Sequence, residues 1–298
     1  MMATKEISMI QPAVKPQYTK IPVKLTEKQF NEFILPYLSM PKRGPRCKIG
    51  YFNVFNHIMN VLYTGMQWKE LPIEKDENGN PEVHYTVIFK KYGNWSDDGS
   101  LSKVFEASVQ HLFDTGMLDV TILHGDGTNT VAKKGGDGIG YSGHKHQRGE
   151  KVLSIVENHG FVLAPYTIAP VNQSDCILLP ASLSNLSHIA RRIGFSIKGS
   201  ILNLDGIFDS KKNRKHIFNR GMVPNIPENK RNRKKTKRGR RRLFNPAVHE
   251  LRLTVERTFA WEDKFKRLLL RFERIQSRHF SFKLLAYTMI NLRRFCQA

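Results

Sequence analysis

A chain of 298 residues, 40% of them hydrophobic, is long enough for one large domain or two ordinary ones and excludes wholesale disorder. Its 48 Lys and Arg against 26 Asp and Glu leave a formal charge of +22, a surface that attracts polyanions, with DNA or RNA favoured over the ribosomal and membrane-surface partners of other basic proteins. Cys47, Cys176 and Cys296 form no CxxC pair, no apolar run approaches the ~20 residues that span a bilayer, and the N-terminus lacks a signal-peptide core, so a disulfide framework, a membrane partner and export are all disfavoured and a cytoplasmic location is expected.

Residues 1–23 carry no clear period and read as a flexible arm. From Leu25 the pattern changes: Thr26 can cap a helix through Glu27–Leu38, closed by Pro36 and the Pro41–Pro45 turn. Phe52, Phe55, Ile58, Met59 and Leu62 recur at helical spacing up to Gly65, and further helices are expected around Thr86–Tyr92 and Leu101–Thr115. Residues 24–118 therefore read as all-helical, a pattern compatible with a helix-turn-helix reader of DNA or with a plain packing domain. Trp68 and Trp95 suit core anchors of that region.

After Gly116 the period shifts. Val120–Leu123 is a short β-branched run ending on His124-Gly125-Asp126, and the Gly- and Lys-rich residues 133–149 read as a mobile loop. Val152–Val156 and Phe161–Ile168 suggest a hairpin. A helix over Leu179–Arg192, a buried strand Ile201–Leu204, a helix over Asp209–Asn219, a short strand or extended edge at Met222–Ile226, and helices over Pro246–Trp261 and Phe280–Phe295 complete the order. Hairpin strands followed by alternating helix and strand describe a mixed sheet flanked by helices. The expectation is an α/β (α+β) fold: a ribonuclease-H-like catalytic domain over 119–298 behind a helical, helix-turn-helix-like domain over 24–118.

Asp126 and Asp205 both follow buried strands, where a carboxylate projects into the cleft that binds ligands in open sheets. An aspartate alone after a strand is more often a turn or capping residue. Glu256 lies on a helix whose Val255, Phe259, Trp261 and Phe265 turn inward, with Arg252 four residues before it and Lys264 eight after. Such an array is either a surface ion-pair ladder or a set of metal-holding acids flanked by phosphate-holding bases. Carboxylate oxygens suit Mg²⁺, and two such ions roughly 3.5–4 Å apart can clamp the attacking and leaving oxygens of a phosphodiester.

The string Leu204-Asp205-Gly-Ile-Phe-Asp209-Ser, with Asn213-Arg214 and Gly221-Met-Val-Pro-Asn-Ile-Pro227 after it, resembles the second-aspartate region of DDE transposases, in the bacterial branch typified by insertion sequence five. His124-Gly-Asp-Gly-Thr128, with Lys133-Lys-Gly-Gly136 and Gly138-Ile-Gly140, looks like the first-aspartate block, and Arg252 with Val255-Glu-Arg-Thr-Phe-Ala-Trp261 like the glutamate block. Leu25-Thr-Glu, the Pro41–Pro45 turn, Thr64–Pro72 and Tyr85–Trp95 extend the resemblance over most of the chain. Steps of 79 residues between the aspartates and 51 to the glutamate make it more specific than a count of three acids.

The resemblance implies a transposase that cleaves and joins DNA, with Asp126, Asp205 and Glu256 as catalytic, metal-binding triad and Mg²⁺ or Mn²⁺, two ions, as cofactor. It implies double-stranded DNA, both transposon ends and target, as partner, at least a homodimer in the DNA complex, and a bacterial cytoplasmic, nucleoid-associated location. Arg252 occupies the arginine place of the family's tyrosine-arginine-glutamate-lysine signature. The tyrosine place holds His249 and the lysine place Asp263, with Lys264 one residue later. A repurposed DNA-binding protein and a simple metal-dependent nuclease are the alternatives.

Ten of the thirteen residues from Lys230 to Arg242 are basic: Lys230, Arg231, Arg233, Lys234, Lys235, Lys237, Arg238, Arg240, Arg241 and Arg242. This run, within a loop over 228–244, carries nearly half the net charge and suits a clamp on the DNA backbone, or else a solvated loop. His144-Lys-His146 invites a zinc reading, but without cysteines or a HExxH helix a polar loop facing DNA is the better one. Gly135–Gly140 is not a dinucleotide loop, because no strand and helix start bracket it.

Overall fold

The computed structural model describes residues 20–41, 43, 47–229 and 243–296. Helix α1 (Glu27–Phe33) starts on a capping box, in which the Thr26 hydroxyl accepts from the Gln29 amide and the Gln29 side chain accepts from the Thr26 amide. It ends earlier than the periodicity predicts. Pro36 cannot donate to a continuing helix, and the chain tightens into a 3₁₀ turn over Leu35–Tyr37. Helix α2 (Gly50–Thr64) stops where the sequence says it should, at Gly65 with φ +74°. Helices α3 (Tyr85–Asp97) and α4 (Ser100–Asp114) follow.

Seven strands then form one sheet: β1 (Ile122–Ala132), β2 (Gly140–Ser142), β3 (Gln147–Glu157), β4 (Thr167–Pro170), β5 (Ile201–Leu204), β6 (Val223–Asn225) and β7 (Leu270–Arg271). Their order is β2-β3-β1-β5-β6, with β4 also on β3 and β7 on β1. β3 pairs antiparallel with β1, from Leu123 opposite Glu157 to Val131 opposite Gly149, whereas β5 and β6 run parallel to β1 and β5. Helix α5 (Asp175–Ile193) crosses from β4 to β5, and α6 (Lys211–Phe218) from β5 to β6.

Three sequence expectations change here. β1 does not end at Leu123 but continues through Asp126 to Ala132, because β3 supplies a partner for its polar second half. Residues 133–149, expected as a mobile loop, contain β2 and a hairpin turn onto β3. The helix expected over Pro246–Trp261 is two, α7 (Pro246–Glu250) and α8 (Leu253–Glu262), separated at Leu251–Arg252. The arm over 1–23 lies almost wholly outside the described residues, and so does most of the Pro41–Pro45 turn.

Helix α9 (Gln276–Leu292) is the structural axle. From Ser281 to Leu292 every residue is buried, polar and apolar alike, as expected of a helix enclosed on all sides. On one side Phe282 stacks on Tyr92 of α3, ring centroids 4.3 Å apart, and lies 6.0 Å from Trp68. On another, Asn291 accepts from the Val162 amide at 2.8 Å and donates to the Val162 carbonyl and the Ser108 hydroxyl, both at 3.0 Å. The N-terminal helices and the sheet therefore share one continuous apolar core. Among the described residues no helix is long and apolar enough to cross a membrane.

Truncating Phe282 to Ala removes a fully buried ring from this junction and should destabilise the protein by about 3–5 kcal/mol in urea unfolding. A loss below about 1 kcal/mol would mean that α9 is not the element joining the helices to the sheet.

Candidate active site

The parallel register of β1 and β5 decides where two of the carboxylates meet. Gly125 stands opposite Leu204, so the next residues, Asp126 and Asp205, emerge side by side where parallel pairing stops. The fit is close enough that a Cβ on Gly125 would come within 2.6 Å of the Leu204 side chain. Asp205 caps the 3₁₀ turn Gly206–Phe208, its Oδ1 accepting from the Gly206 amide at 2.5 Å. Asp126 Oδ1 accepts from the Gly127 amide at 2.9 Å.

Glu256 arrives from the first turn of α8, where the helix dipole favours a carboxylate. Arg252, at the N-cap of the same helix, reaches both partners: Nη1 donates to Asp126 Oδ2 and Nη2 to Glu256 Oε1, each at 2.8 Å. One guanidinium fork thus spans the strand carboxylate and the helix carboxylate. The Arg252 side chain is 18% exposed, Asp126 25% and Glu256 50%, so the pair to Asp126 is the less screened of the two.

The electrostatics follow from this crowding. Burial pushes the Asp126 carboxyl above its ordinary pKa; Arg252 and the Gly127 amide pull it back, and the charge on Asp205 adds to the rise. Burial alone would lower Arg252, but Asp126, Asp205 and Glu256 together hold it above its usual value. His249 is lowered, first by burial and then by Arg252, against the pull of Asp205. His124, wholly buried beneath the site, is driven down to about 4 by burial, with the charges of Arg252 and Arg257 adding.

Beneath the carboxylates lies a buried amide network that the sequence reading missed. Asn203, in β5 two residues before Asp205, donates through Nδ2 to the Val248 carbonyl of α7 at 2.6 Å and lies 3.3 Å from His124 Nδ1. Its Oδ1 accepts from Asn225 of β6 at 3.2 Å and faces His249 Nδ1 at 3.1 Å. Asn225 in turn exchanges hydrogen bonds with the Asn245 backbone at 2.8 and 3.1 Å. These bonds pin α7, and with it Arg252, to the two parallel strands. The signal was present: an Asn inside an otherwise apolar strand must find partners.

At its other end α8 is held by Glu262, buried between Lys283 and the Tyr287 hydroxyl of α9, the latter donating at 2.7 Å. A fourth carboxylate, Asp175 at the start of α5, lies over Gly127, whose added Cβ would stand 2.9 Å from Asp175 Oδ1, but it is engaged by Lys151 at 2.9 Å.

Not every expected residue joins the site. α8 ends at Glu262, so the helical spacing that put Lys264 on the face of Glu256 no longer applies, and Lys264 is an exposed residue beyond the helix. The basic run Lys230–Arg242 lies outside the described residues. Its described flanks attach at this same edge: the Asn229 amide donates to Asp209 at 3.1 Å, and Asn245 binds Asn225 as above. Among the described residues no three His, Cys, Asp or Glu side chains converge as a ready-made metal cluster. The guanidinium of Arg252 stands between two of the candidates.

Residues 112–291, more than half of the chain, match the family model described as a transposase DDE domain. Among solved structures, the chain is similar to the Mos1 transposase paired-end complex with left transposon end at 12% identity and a TM-score of 0.27, covering 62% of this chain and 61% of that one. A second is the Mos1 mariner paired end complex with Mn, at 11% identity and a TM-score of 0.26, covering 66% and 64%. The chain thus spans less than two thirds of the length of either neighbour. No curated protein matches it.

Replacing Asn203 by Ala should cost about 1–3 kcal/mol for each buried partner left unmet, read by urea denaturation. A variant as stable as the wild type would show that the amide network does not hold α7 against the sheet.

Proposed function

The chain belongs to the transposase DDE domain family, and on that premise we propose that it binds insertion-sequence ends and catalyses strand cleavage and strand transfer at the edge formed by Asp126, Asp205 and Glu256. The observation that carries the reading is the register of β1 and β5, which brings the two aspartates together, combined with the Arg252 fork that joins the first of them to Glu256. The strand order β4-β3-β1-β5-β6, antiparallel on one side of β1 and parallel on the other, supports the ribonuclease-H-like description.

The donor set fits a hard divalent cation. Three carboxylates stand around one guanidinium, which bonds two of them, so about two formal negative charges are left over at a partly exposed edge of oxygen donors. Asp126, Asp205 and Glu256 would hold Mg²⁺ or Mn²⁺, two ions in this reading, and when bound these would polarise the phosphodiester and lower the pKa of an attacking water. Arg252 has a planar fork suited to a phosphate oxygen as well as a carboxylate, so it would release one carboxylate and orient the phosphate in its place. Water for cleavage and the 3′-hydroxyl for joining serve as nucleophiles, so no side chain need form a covalent intermediate. The helices of residues 24–118 are proposed to recognise the transposon ends, residues 119–298 to carry the chemistry, and the basic run Lys230–Arg242 to clamp backbone phosphates. Handling two ends together implies at least a dimer in the DNA complex.

Three outcomes are expected. Ala at Asp126, Asp205 or Glu256 abolishes Mg²⁺-dependent cleavage of end-bearing duplexes in a gel assay while duplex binding persists; joined products from an Asp205→Ala protein would sink the mechanism. Cutting of duplexes without end sequence, with no joined product, would identify a nuclease instead. Arg252→Lys keeps the charge but not the fork, and should lose most of the cleavage rate; full activity would show that the bidentate geometry is dispensable. Millimolar Mg²⁺ should raise the melting temperature of the wild type and not of an Asp126→Ala, Asp205→Ala double variant.

A further inference from the structure

The segment 133–149 is absorbed neither by the active site nor by the core, and its composition is one-sided. It contains Lys133, Lys134, Lys145 and Arg148, two histidines and a single acid, Asp137. That acid is already engaged, accepting from buried Arg271 at 2.8 Å and from the Gln276 amide at 2.6 Å. Among the described residues none of the four cations is in a salt bridge, and all four are exposed. The fold gains nothing evident from their charge.

The shape of the segment is defined. β2 and the start of β3 form a two-stranded ribbon, with Tyr141 opposite Arg148 and Ser142 opposite Gln147. Its tip, Gly143–His146, is closed by the Lys145 amide donating to the Ser142 hydroxyl at 3.3 Å. His146 turns the chain at φ +48°, a left-handed conformation that histidine tolerates better than most residues. Tyr141 is 54% exposed, an aromatic side chain left in solvent beside a cation. Burial begins only at Gly149 and Glu150, so the ribbon projects beyond the body of the sheet.

Its position relative to the active site can be measured along the strands. Asp126 pairs with Ser154, and the last ribbon pair lies seven residues further along β3. At ~3.3 Å per residue that is about 23 Å, or roughly seven base pairs of duplex. A two-stranded ribbon matches the width of the major groove, and its cations match the flanking phosphates. We propose that the β2–β3 ribbon and the adjoining end of β1 form a second DNA contact, at which Lys145 and Arg148 on the ribbon and Lys133 and Lys134 just past β1 hold backbone phosphates of the duplex whose scissile phosphate lies at Asp126, with Tyr141 packing between them. This rests on the reading of the chain as a DNA-processing enzyme and adds to it a contact distinct from the carboxylate edge and separate in sequence from the basic run Lys230–Arg242.

The test is equilibrium binding of the full chain to a random-sequence duplex several helical turns long, followed by fluorescence anisotropy as KCl is raised from about 50 to 200 mM. Each lost phosphate contact should flatten the log–log salt dependence by about 0.9, so Lys145→Ala with Arg148→Ala should flatten it by roughly 2, and Lys133→Ala with Lys134→Ala by a similar amount. Exchanging the cations, Lys145→Arg with Arg148→Lys, should leave the slope intact, and Tyr141→Ala should weaken binding without changing it. All these residues are exposed, so unchanged melting temperatures are expected, which separates contact loss from misfolding. Alanine pairs that keep the wild-type slope would overturn the proposal. Cleavage by the same proteins keeps the two readings apart: an unchanged slope beside a cleavage-dead Asp205→Ala protein defeats the ribbon alone. A flattened slope beside a cleavage-competent Asp205→Ala protein defeats the carboxylate site alone.

Discussion

One guanidinium holds the candidate site together. Arg252 joins a carboxylate on the central strand of the sheet to a carboxylate on a helix 130 residues later in the chain, and does so with two bonds of equal length. Without it, Asp126 would stand half-buried beside Asp205 with only a backbone amide to offset two like charges. With it, one of the three charges at this edge is offset at short range by a partner bonded to two of the acids. On the proposed function, the fork that joins these two carboxylates is also the group that yields when a phosphate arrives. A group serving in both states has to be placed accurately, and much of the surrounding structure serves that placement.

Two buried polar networks do the placing. The Asn203–Asn225–Asn245 amides fasten α7 to β5 and β6 just before Arg252, and the Glu262–Lys283–Tyr287 cluster fastens the far end of α8 to α9. A polar group in such a position is penalised if its partner moves, so each network specifies one arrangement rather than a range of them. α9 then relates this frame to the N-terminal helices through Phe282 and Asn291. The site is consequently referred to a core that includes α3 and α4, although neither helix approaches the carboxylates in sequence.

Where local pattern and tertiary structure agreed, the chain was legible. Ile201–Leu204 is the strand its apolar run predicts, and α2 ends at its glycine. Legibility failed where a distant partner decides the outcome. The β-branched run Val120–Leu123 reads as a strand that ends on His124-Gly125-Asp126, yet β1 runs on to Ala132 because β3 lies beside it, and the Gly- and Lys-rich segment that follows becomes a ribbon for the same reason. The break between α7 and α8 carries no proline or glycine, and nothing in the local sequence marks the end of α8 at Glu262, which removes the helical register that would have placed Lys264 beside Glu256. The asparagines beneath the site were visible as residues, but their partners lie 20 to 79 residues away and no spacing rule connects them.

The central claim is that Asp126, Asp205 and Glu256 form one metal-holding site in which Arg252 is displaced on loading. Anomalous diffraction from a crystal of the chain grown with duplex DNA and Mn²⁺ tests it most directly. The account predicts Mn²⁺ peaks within bonding distance of both Asp126 and Asp205, with Glu256 ligating and Arg252 turned onto a phosphate oxygen. Mn²⁺ bound elsewhere, with Arg252 still bridging Asp126 and Glu256 against bound DNA, would contradict it.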